Sequence, residues 1–79
     1  MTEIEYKKAI LEAAQLRTRA AHQRDNAMSH RRQAKRESYD GQAEICLSKA
    51  TKIEALAAEN EAKADLIEAE AKAEMEGER

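Results

Sequence analysis

The chain has 79 residues with no Pro, two Gly, one Cys and only Tyr6 and Tyr39 as aromatic side chains, which excludes a large globular core built within one copy. Ala, Glu, Lys, Leu and Arg dominate, the composition of long helices and coiled coils. Net charge is −2, and no apolar run approaches the roughly 18 residues of a membrane span.

The charge is unevenly spread. Residues 17–36 hold seven Arg or Lys against Asp25, whereas residues 37–79 hold twelve acids against five bases. A basic block followed by an acidic half implies self-complementarity, or an anion site beside an acidic body. The start MTEIEYKK lacks the cationic and apolar blocks of a secretory signal. Cys46 stands alone, so neither an intrachain disulfide nor a cysteine-based zinc site can form, and a cytoplasmic location is expected.

Thr2-Glu3-Ile4-Glu5 has the spacing of a capping box, with Met1 and Tyr6 placed as the accompanying hydrophobic staple. A first helix is predicted over about 2–38. Within it Ala13, Ala20, Ala27 and Ala34 recur every seventh residue, and Arg17, Arg24 and Arg31 keep the same period. A spacing of seven returns to nearly the same side of a helix, so one face carries the smallest side chain beside the largest cation.

Ser38-Tyr39-Asp40-Gly41 is the first break. Gly41 is expected to supply a left-handed conformation, in a turn over about 38–42. A second helix is predicted over about 42–76. It repeats the device with Ala43, Ala50, Ala57, Ala64 and Ala71, followed three residues later by Cys46, Ile53, Asn60, Ile67 and Glu74. The expected fold is therefore all-α, a two-helix antiparallel hairpin with an alanine-rich coiled-coil seam. Folding at 38–39 matches Ala13 with Ala64, Ala34 with Ala43, and Arg17 with Asn60. A register one heptad along pairs Arg24 with Asn60 instead, and the first is preferred because it joins Ile10 to Ile67. A single unbroken helix is the rival, since the small-residue period also runs in phase through Gly41, Ser48 and Ala55; its companion row of Ser38, Ile45, Lys52 and Glu59 makes a poor seam.

Alanine layers bury little area, so at about 25 cal/mol per Å² this seam is weaker than a leucine seam. Leu11, Leu16, Met28, Ile45, Leu47, Leu56 and Leu66 fall off it and call for a partner, which predicts homo-oligomerisation into a bundle.

Two functions suit this architecture. In the first, Arg17, Arg24 and Arg31 bind a phosphate-bearing ligand, nucleotide or nucleic acid, because guanidinium groups hold phosphate bidentately. His22, His30, Arg32, Lys35, Arg36 and Asn60 would be accessory donors. In the second, the arginines pair with Glu54, Glu61 and Glu68, also seven apart, and the chain is a protein–protein module such as an inhibitor, adaptor or scaffold. A small accessory protein of a phage or mobile element fits either. Neither a Glu-x-x-His pair nor a Gly-rich phosphate loop occurs, nor a nucleophile beside a base, so no metal, cofactor or enzymatic activity is expected.

Overall fold

The computed structural model describes residues 1–36 and 40–77. It contains two α-helices, α1 (Glu3–Arg36) and α2 (Asp40–Gly77), packed against each other along their length in a rod of 61 × 14 × 11 Å. No strand occurs among the described residues. The single long helix is thereby excluded, and the hairpin stands.

Thr2 starts α1. Its Oγ1 accepts the Glu5 backbone N–H at 3.2 Å and donates to the Glu5 carboxylate at 3.1 Å, while Tyr6 N donates to Thr2 O at 2.9 Å. The Glu5 N–H, one of the four donors orphaned at a helix start, is thus satisfied, and the Tyr6 bond is the first of the helix's own i→i−4 series. Glu3 and Glu5 occupy the first turn and Lys35 and Arg36 the last, the charge order that the helix dipole favours. Mid-helix hydroxyls fold back harmlessly: Thr18, Ser29 and Thr51 each donate to the carbonyl four residues earlier.

The second helix starts earlier than the sequence predicts. Ser38 and Tyr39 lie outside the described residues, but Gly41, expected in the turn, sits in the first turn of α2. No glycine among the described residues has a positive φ, and a Cβ at Gly41 would meet nothing within 4 Å. Asp40 already belongs to the helix, so α2 begins two residues before its expected start.

The core is the alanine seam. Among the described residues, Ala13, Ala20, Ala27, Ala34, Ala50, Ala57, Ala64, Ala71 and Cys46 are the buried apolar ones, and no large side chain is fully buried. Ala43 is half-buried at the turn end. Side chains this small let two helix backbones approach closely, but each layer removes little surface from water.

Candidate interaction surfaces

Both edges of the seam follow from the heptad. In each helix the residue three after an alanine lies on one side of the seam, and the residue four after lies on the other. In α1 these rows are Leu16, Gln23, His30 and Ile10, Arg17, Arg24, Arg31; in α2 they are Cys46, Ile53, Asn60, Ile67 and Leu47, Glu54, Glu61, Glu68, Met75. Antiparallel packing brings like rows together.

One edge is ionic. Arg31 Nε donates to Glu54 at 3.0 Å while its Nη2 donates to the other carboxylate oxygen, a two-pronged fork. Arg24 grips Glu61 the same way, through Nε at 3.1 Å and through Nη2. Arg17 Nη2 reaches Asp65 at 2.9 Å and Glu68 at 2.5 Å, and Lys72 joins Glu68 from the following turn at 3.2 Å. The three arginine side chains remain 43–47% exposed, so the ladder lies along the rim of the seam rather than within it.

The electrostatics follow the geometry. Hydrogen bonds from Arg31, Arg24 and Arg17 hold the carboxyls of Glu54, Glu61 and Glu68 below the usual carboxylate range, with Lys72 assisting at Glu68. The arginines in turn bind their protons more tightly. Arg17 does so mainly through Asp65 and then Glu68, Arg24 through Glu61, and Arg31 through Glu54.

The other edge is mostly apolar, with an amide pair at its middle. Asn60 Nδ2 donates to Gln23 Oε1 at 2.9 Å, and both residues are half-buried. The same register sets Leu16 against Ile67 and His30 against Ile53, all half-buried. Leu56, one residue before Ala57, flanks this edge at 50% exposure.

These contacts correct the preferred register. Asn60 meets Gln23 rather than Arg17, and the arginines meet carboxylates one position beyond the residues that the second register sets opposite them. The physical reason is side-chain slant. Side chains tilt toward their own helix N-terminus, away from the turn in α1 and toward it in α2, so the two ends of a long cross-helix pair are offset along the axis. Ala34 and Ala43 nonetheless line one depression with Arg31, Lys35 and Leu47, so the two alanines lie close at the turn end.

The structure distributes the remaining site residues. Arg32, Lys35 and Arg36 are exposed near the turn and form no ion pair among the described residues; a shallow open depression along α1 is lined by Ser29, Arg32, Gln33 and Arg36. His30 is half-buried on the apolar edge and His22 is exposed, so neither adjoins the arginine ladder. Leu11, Met28, Ile45, Leu47, Leu56 and Leu66 are exposed but share no single face. Leu16 and Leu56 lie on the apolar edge, Leu47 on the ionic one, Leu11 and Met28 on the outer flank of α1, and Ile45 and Leu66 on the back of α2.

Sequence reasoning missed Gln23, Asp65 and the exposed Ile4. Gln23 carried a signal: it stands three residues after Ala20 as Asn60 stands three after Ala57. No group of three or more His, Cys, Asp or Glu among the described residues is arranged to hold a metal, and no described helix is long and apolar enough to cross a membrane.

The structure thus defines a two-helix antiparallel hairpin closed by an alanine seam and an arginine–glutamate ladder. Set against family models, curated proteins and solved structures, the chain matches none.

Proposed function

We propose that the hairpin is a non-catalytic protein–protein interaction module in which the arginine stripe is structural. One observation carries this reading. Each of Arg17, Arg24 and Arg31 already has a carboxylate partner across the seam, whereas Leu16, Ile53, Leu56 and Ile67 line the opposite edge with their apolar surface only partly covered. Bridged guanidiniums have their charge and part of their donor set engaged within the chain. A phosphate would have to displace a carboxylate held in place by the fold, at no gain in charge pairing. An incompletely covered apolar edge, by contrast, gains from every Å² that a partner removes from water.

The test is affinity capture from a native extract. A protein bound stoichiometrically, retained after nuclease treatment and lost with Leu56→Asp, supports the module. Retention with Leu56→Asp, or release by nuclease, overturns it.

A second reading keeps the phosphate-bearing ligand but moves its site. Arg32, Lys35 and Arg36 stand together near the turn without acidic partners among the described residues, beside Ser29. Binding of a nucleotide or nucleic acid there weakens steeply with salt and disappears in an Arg32→Ala/Arg36→Ala variant. Binding that survives this variant sinks the second reading.

A further inference from the structure

The hairpin is polar from end to end. Arg32, Lys35, Arg36 and Lys49 gather toward the turn, and Glu12, Glu70, Glu74 and Glu76 toward the open end. At that open end the last turn of α2 holds no basic residue, so its acids face the negative pole of the helix dipole without relief from their own helix.

The two long edges also differ. Ion bridges close one, while the other exposes Leu56 and half of Leu16, Ile53 and Ile67 around the Gln23–Asn60 pair. Among the described residues the chain's own packing buries only Ala and Cys46 of the apolar ones, which leaves a chain of this size short of covered surface.

We infer that a second copy of this chain covers the apolar edge, packed antiparallel with its turn beside the first copy's open end, to form a four-helix bundle. The inference deepens the interaction reading above, on which it rests, by naming the partner. A two-fold axis through the Gln23–Asn60 pair gives the arrangement its register. It sets the Leu16–Ile67 layer of one copy on the His30–Ile53 layer of the other, so that Ile67 meets Ile53 and Leu16 meets the ring of His30 on both sides of the axis. It also brings Glu12 and Glu70, exposed along this edge at the open end, to Lys49 of the second copy, exposed along it near the turn. None of these three forms an ion pair among the described residues, so all are available. At the axis the two amide pairs face each other, and each retains donors and acceptors for its copy. A buried amide among apolar layers fixes alignment, because any shifted register strands it against a hydrocarbon. The parallel alternative, with α2 of one copy over α1 of the other, would oppose Glu70 to Glu12 at the open end, which is repulsive.

Sedimentation at micromolar concentration, combined with spin-label distances in a Cys46→Ala/Gln42→Cys variant, tests the arrangement. Gln42 is exposed near the turn, 18 positions from Asn60 in sequence. A dimer with labels separated by about 50 Å is expected, against under about 20 Å for a parallel pair, at 1.5 Å of rise per residue. Glu70→Lys should raise the dimer dissociation constant about threefold to tenfold, and adding Lys49→Glu should restore it. Leu56→Asp should raise it about a hundredfold, with helicity by circular dichroism reporting that the hairpin itself survives. A dimer with the short distance, or a Glu70→Lys defect that Lys49→Glu deepens, overturns the antiparallel pairing. A strictly monomeric chain overturns self-pairing altogether and leaves the interaction reading to its own capture experiment.

Discussion

Arg31 and Glu54 lie 23 positions apart in sequence and meet across the seam through two parallel hydrogen bonds, one from Nε and one from Nη2. The same fork recurs one heptad on between Arg24 and Glu61, and Arg17 completes the series with Glu68 and Asp65. A planar guanidinium suits this contact where a lysine would not, because its fork matches both carboxylate oxygens. The ladder therefore works as a set of registration marks: each rung forms only if the helices stand at one axial offset.

Charge reversal reads that role directly. Arg24→Glu should lower the urea midpoint of the hairpin by placing like charges at Glu61, and Glu61→Arg should do the same beside Arg24. The double variant should recover most of the loss, which chemical denaturation followed by circular dichroism will register. Equal loss in single and double variants would show that the rung is incidental.

Acid should weaken the ladder. Because Glu54, Glu61 and Glu68 have lowered folded-state pKa values, their contribution is present above the ordinary carboxylate range and is lost as pH falls through those lowered values. Acid also relieves repulsion among the unpaired glutamates, so the comparison needs a reference. Against a Glu54→Gln/Glu61→Gln/Glu68→Gln variant, the native chain should be more stable at neutral pH, and the gap should close at about pH 2. A gap that persists in acid would assign the difference to packing.

The alanine seam should resist enlargement. Ala27 has no exposed surface, so Ala27→Leu forces the helices apart and should cost about 1–3 kcal/mol in urea unfolding. Ala14→Leu, one residue after the seam residue Ala13 and exposed, should change stability by under about 0.5 kcal/mol. Similar effects at both positions would mean that the helices are not in close contact.

Gly41 should be replaceable to advantage. It is helical without a positive φ, and space is open around it, so Gly41→Ala should stabilise the hairpin by about 0.4–1 kcal/mol through loss of unfolded-chain freedom. A destabilised variant would restore Gly41 to the turn, where its sequence neighbours suggest it belongs.

Much of the fold could be read from local pattern. The Thr2 cap, the two helices and both alanine rows rest on spacing and side-chain size, and each appears as expected. Gly41 falls in α2 rather than in a turn: Asp-Gly reads equally well as a turn and as the opening of a helix, and nothing local decides between them. The apolar edge was half read. The Cys46/Ile53/Asn60/Ile67 row stood out because it is mostly apolar, while its counterpart of Leu16, Gln23 and His30 is chemically mixed and was passed over for the more conspicuous arginines.

By itself, the sequence determined that there would be two helices and that their smallest side chains would face each other, since period and volume are properties of each segment alone. What only the tertiary structure decided was the partnering: that Arg17, Arg24 and Arg31 turn to Glu68, Glu61 and Glu54, and that Asn60 turns to Gln23. Partnering depends on the axial offset and rotation of one helix against the other. Side chains on antiparallel helices slant in opposite directions, so the residues that meet are not those that backbone matching sets opposite each other. A repeat of seven looks the same after every seven residues, so the pattern alone could not say which heptad meets which.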